Sequence, residues 1–132
     1  MAHPITVPVW KRILGTIAFL FAALTLFKSG QVIFGPQSAR DAVGDFVPFV
    51  VQFNFVAGFF YLLAGIGIFL GRGWSMGLSA LIALATLVTT AFFARHLLAG
   101  GAFEMQTVGA LGIRSGFWIF VTLILWRTGR HP

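Results

Sequence analysis

The sequence predicts an all-α integral membrane protein, an antiparallel four-helix bundle with both termini in the cytoplasm. Three observations predict it. The chain is 58% hydrophobic and only 9% charged, against about 25% charged in an ordinary soluble domain. Its apolar residues gather into four runs, each close to the roughly 20 helical residues that a bilayer core requires. Basic residues and turn formers separate the runs. A soluble globule of 132 residues could not hide so much apolar surface from water. One membrane domain over residues 1–132 is expected, with the lipid bilayer as its first partner.

Span one covers about 9–27, apolar without a charge from Ile13 to Phe27. Trp10, Lys11 and Arg12 suit the interface, the cations reaching headgroups while their stems stay apolar. A cleaved signal peptide would open in the same way. Against it, Ala22–Leu24 is a poor cleavage site and the apolar run continues to Lys28. The turn-forming stretch Gly35-Pro36-Gln37-Ser38 leads to span two, about 46–70, with Pro48 in its first turn. Gly71-Arg72-Gly73 then forms a tight turn into span three, about 74–94, which ends at Arg95-His96. Residues 97–106, with Gly100-Gly101 and Glu104, read as a short exposed loop. Span four, about 107–126, stops at Arg127.

Orientation follows from the positive-inside rule. With both termini inside, the cytoplasmic face carries Lys11, Arg12, Arg72, Arg127 and Arg130. The outer face carries Lys28, Arg40, Arg95 and Arg114 with all three acids, Asp41, Asp45 and Glu104. The nine basic residues and net charge of +6 are scattered over helix ends, which suits headgroups and not nucleic acid. With no cysteine in the chain, disulfides, thiol redox chemistry and thiolate metal ligation are excluded. Small residues at helical spacing (Ala18 and Ala22, Gly67 and Gly71, Gly73 and Gly77, Gly112 and Gly116) allow close helix packing, within the bundle or in a homo-oligomer.

Polar groups inside lipid are costly, so they turn to the bundle interior and become the first functional candidates. Asn54 lies about 12 Å below the outer end of span two and Arg114 about 10 Å into span four, at about 1.5 Å per residue. Thr25 precedes Lys28 by one turn, and Thr89 and Thr90 lie within two turns of Arg95. Four helices thus bring polar atoms to one level. Glu104 is expected to partner Arg114 or Arg95, with Asp41 and Asp45 as alternatives, because an embedded arginine needs counter-charge or acceptors. Tyr61 extends the polar column inward. His96 reads either as an interfacial residue or as a proton donor to a ligand. His3 and His131 lie in the two tails, so His96 has no partner with which to hold haem or zinc, and no metal site is expected.

No HExxH or phosphate loop occurs, and the spans hold no carboxylate pair. Independent catalysis is therefore not expected. Asn54, Arg114, Glu104, His96, Tyr61 and Thr89 are the candidate ligand-binding residues, for a hydrophobic ligand with a polar head such as a quinone. Phe53, Phe55, Phe59 and Phe60 could supply an apolar slot for its ring. The alternatives are a structural or assembly protein whose polar level fastens helices, and a small transporter.

The opening Trp10-Lys11-Arg12-Ile13-Leu14-Gly15, the Phe27-Lys28 close of span one, the Ala64–Leu70 end of span two and Gly71-Arg72-Gly73 form one sequence of elements. In that order the chain resembles the DoxX-like group of small bacterial four-helix membrane proteins. The resemblance covers about the first three spans. Asn54 stands where span two of that group often carries an acid, and the stretch from His96 to Glu104 is not part of its pattern. The resemblance implies residence in the bacterial inner membrane and a role as partner subunit in a quinone-linked redox complex.

Overall fold

A computed structural model describes residues 7–44 and 47–129. His3, Asp45, Arg130 and His131, all named above, lie outside the described residues, as does Phe46, where span two is expected to begin. The described chain forms five helices: α1 (Val9–Phe34), α2 (Gln37–Val43), α3 (Pro48–Phe69), α4 (Trp74–Leu98) and α5 (Met105–Gly129). Four of them are long and apolar enough to cross a membrane.

Three helices outrun their expected spans, α5 by two residues at its start and three at its end. α1 continues past Lys28 to Phe34, and α4 continues past Arg95 and His96 to Leu98. A charge ends an apolar run but not a helix, whose backbone bonds are closed internally and need no lipid. What ends α1 is Gly35-Pro36 together with Arg40. The Arg40 guanidinium donates to the carbonyls of Val32 (3.1 Å) and Gly35 (3.2 Å), which α1 leaves open at its C-terminus. The stretch expected as a plain turn includes a short helix, α2. Pro36 sets its start, and Gln37 braces it by donating to Asp41 (3.0 Å) and accepting from Arg40 (3.1 Å).

The core lies on a narrow seam of each long helix. On α4 it runs through Ser75, Ser79, Ile82, Thr86, Thr89 and Phe93, alternating steps of three and four. That spacing is the one with which near-parallel helices interdigitate. The seam is rich in Ala, Ser, Thr and Gly, while Leu20, Leu24, Phe60, Leu63, Leu84, Phe92 and Leu123 face outward. Small and polar inside with large and apolar outside is the reverse of a soluble protein. It is the surface of a multi-pass membrane protein, in which close backbone approach replaces apolar burial as the adhesive.

α1 lies against α3, α3 against α4 and α4 against α5. The start of α1 meets the end of α3: an added Cβ on Gly15 would sit 2.6 Å from the Phe69 backbone nitrogen and 2.7 Å from the Gly65 carbonyl oxygen. Further along, Gly58 of α3 faces Leu26 of α1. Ala18 and Ala22 are fully buried on α1. Gly77, Gly112 and Gly116, by contrast, meet nothing within 4 Å. Among the described residues, no backbone approach within 8 Å occurs between α1 and α5. Their link is made by side chains, Phe21 meeting Phe117 edge to face at 5.3 Å.

The α3–α4 turn closes with the two bonds of a Schellman motif, Arg72 N–H to Gly67 O (2.8 Å) and Gly71 N–H to Ile68 O (3.0 Å). Gly71 takes φ +69°, whereas Gly73 is helical at φ −63°. Only Gly71 therefore needs to be glycine, and a side chain there would also press on Val7, 3.1 Å from its Cβ. Gly71→Val is expected to destabilise by more than 1 kcal/mol, and Gly73→Ala to be neutral or slightly stabilising. Thermal unfolding of both variants in detergent checks this; equal melting would show the turn is not strained at residue 71.

Candidate functional site

The ends of α1 and α2 and the beginnings of α3 and α5 enclose a cavity of about 380 Å³. It lies where α1 and α5 stand apart. Thr25, Lys28 and Gln31 line it from α1, Asn54 from α3, and Thr107 and Arg114 from α5. The spacing of 25, 28 and 31–32 puts one edge of α1 along the cavity, so the helical extension beyond Lys28 is what builds that wall.

Most hydroxyls in the spans are satisfied within their own helix. Thr86, Thr90 and Thr122 each donate to the carbonyl four residues back at 2.7–2.8 Å, and Thr89 donates to Ala85 at 3.0 Å. Ser29 donates to the Thr25 carbonyl. Thr25 is different. Its residue is only 1% exposed, yet its hydroxyl has no hydrogen-bond partner. The same holds for the buried Oδ1 of Asn54 and Nε of Arg114. Three residues that line the cavity, from three helices, therefore each carry a buried polar atom without a partner, and each unmade bond of a buried group costs about 1–3 kcal/mol.

The Arg114 guanidinium also lies over the Phe21 ring, 5.8 Å from its centroid, within reach of a cation–π attraction. Behind it stands an aromatic group. Phe21 stacks on Tyr61 at 5.6 Å, and Tyr61 meets Trp118 at 5.0 Å. Tyr61 and Trp118 are completely buried.

The sequence-named residues thus divide into two groups. Asn54 and Arg114 share the cavity with Thr25. Tyr61 lies deeper, in the aromatic group, and Thr89 faces the core with its hydroxyl bonded to Ala85. Glu104 rests with its carboxyl against Gly44, joining the α4–α5 connection to the α1–α3 connection at one end of the molecule. His96 packs against Phe93 and Phe49 (centroids 6.3 and 6.2 Å), bonds the Ala102 carbonyl at 2.8 Å and lies against Gly101. It fastens the α4–α5 connection away from the cavity. Asp41 is held by Gln37 on α2.

Lys28, Gln31 and Thr107 line the cavity without having been singled out by the sequence. The usable signal was the Thr25-Lys28-Gln31 spacing, hidden because Lys28 reads as the end of a span. Among the described residues no cluster of three or more His, Asp or Glu could hold a metal ion. Comparison with family models, with curated proteins and with solved structures finds no match.

Proposed function

We propose that the chain is an accessory subunit of the bacterial cytoplasmic membrane that binds a hydrophobic, polar-headed ligand such as a quinone, possessing no catalysis of its own. The reading rests on one observation: Thr25, Asn54 and Arg114, each with a buried atom that has no hydrogen-bond partner, line a single cavity. A polar level whose purpose was fastening would spend these groups on one another. They instead point to a guest with hydrogen-bonding oxygens. The cavity volume falls at the small end of the usual range of about 300–1,000 Å³, so it suits a head or ring with the tail left in lipid. Association with a redox complex follows the DoxX-like resemblance. The test is extraction of the protein purified from native membrane, followed by mass spectrometry. Stoichiometric quinone supports the reading, and its absence from protein that is otherwise folded counts against it.

The same proposal places the four spans as an antiparallel bundle with both termini cytoplasmic. Contacts of Gly15 with Phe69 and of Gly58 with Leu26 support opposite directions for α1 and α3, and Val7 against Gly71 brings the chain start to the α3–α4 turn. Because the chain lacks cysteine, single cysteines report topology cleanly. Those placed at Ala2 and Thr128 are expected to react only with reagents that reach the cytoplasm, and one at Ser38 only from outside. Labelling of all three from one side would remove this arrangement.

A further inference from the structure

The charge of the cavity narrows its guest. Two cations, Lys28 and Arg114, line it, and among the described residues lining it none is acidic. Arg114 lies nine residues into α5, about 13 Å along the axis at about 1.5 Å per residue. A guanidinium at that depth is costly without an anion or several acceptors. One of its nitrogens, Nε, has no hydrogen-bond partner. Thr25, whose buried hydroxyl is equally unpartnered, lines the same space from α1.

We infer that the cavity binds an anionic oxygen head, a carboxylate or phosphate, of an amphiphile whose tail remains in the bilayer. This deepens the ligand-binding reading and rests on it. The guanidinium fork matches two oxygens of such a head. Thr25 donates to a further oxygen, and Asn54, whose amide nitrogen donates, completes the set. Lys28, a turn nearer the end of α1, adds a compact charge at the rim. The tail would leave between α1 and α5, whose backbones do not approach within 8 Å among the described residues.

The experiment uses the full chain in detergent and reads bound ligand by native mass spectrometry. The probes are oleate, oleoyl-lysophosphatidate, uncharged monoolein, inorganic phosphate and a short-tailed quinone. At least one acidic amphiphile is expected to bind tenfold or more tightly than monoolein. That preference should vanish in Arg114→Gln, shrink severalfold in Lys28→Gln and Thr25→Val, and persist in Lys11→Gln, which lies outside the cavity. Thr25→Val and Lys28→Gln keep the test open should Arg114→Gln fold poorly. Phosphate binding as tightly as the amphiphiles would support the anionic head and identify a free anion as its source. Equal binding of monoolein and the acidic probes, or a preference untouched by these variants, overturns the inference. If the quinone still binds in that case, the broader reading survives; if no probe binds, both fail.

Discussion

Gly15→Val is expected to lower the stability of the bundle by about 1–3 kcal/mol or more. The reason is the kind of atom a side chain would meet. A Cβ at residue 15 falls 2.6–2.8 Å from the backbone of Phe69 and 2.7 Å from the Gly65 carbonyl oxygen. A flexible side chain can turn aside, but two helix backbones relieve such a clash only by separating. Separation is costly here because lipid offers no apolar driving force to hold the helices together, so packing contact carries the association. Gly65→Val should behave alike, since its Cβ would lie 2.9 Å from the Phe19 backbone nitrogen. Gly116→Ala on the outer face of α5 has nothing within 4 Å and should be neutral or gain up to about 1 kcal/mol in helix propensity. Unfolding of the three variants in detergent decides the matter. Equal melting would mean that α1 and α3 are not locked at this crossing.

Arg114→Leu separates the two readings of the polar level. An arginine at the centre of a membrane helix costs about 2.5–3.5 kcal/mol on insertion scales. Here its Nε lacks a partner while the guanidinium lines a cavity. Leucine is therefore expected to keep or raise thermal stability and to reduce retained ligand at least tenfold, about 1.4 kcal/mol of binding. The structural alternative predicts the opposite. If the arginine ties the bundle through a buried acid, its loss should cost about 3–5 kcal/mol, and Arg114→Leu with Glu104→Leu should recover much of it. Lower melting with unchanged ligand would make Arg114 a fastener and leave the cavity without its central residue.

Four membrane-crossing helices were legible in the sequence because lipid is an undemanding reader: about 20 apolar residues suffice, wherever they face. The depth of Asn54, Arg114 and Thr25 was legible too, since rise per residue fixes height along a helix. Helix ends were less so. Lys28 and Arg95 mark where apolar runs stop, while α1 and α4 run on to a glycine-containing stop at Gly35 and beyond Leu98. Lys28 and Gln31 were lost from the site for that reason. That Glu104, His96 and Tyr61 stand apart from the cavity was also beyond reach, because residues near one level still occupy different sides of their helices.

What the amino-acid sequence determined by itself is the environment and the vertical order of the groups. What only the tertiary structure decided is the lateral arrangement: that α1 pairs with α3, that α4 pairs with α5, and that a cavity stands where α1 and α5 do not approach. The physical reason lies in the solvent. In water the apolar face of a helix announces which side is buried. In lipid every side is apolar, and the buried seam is chosen by backbone contacts such as Gly15 with Gly65 and by small residues such as Ala18, Ser79 and Thr86. Those choices are made between helices, and they exist only once the helices have met.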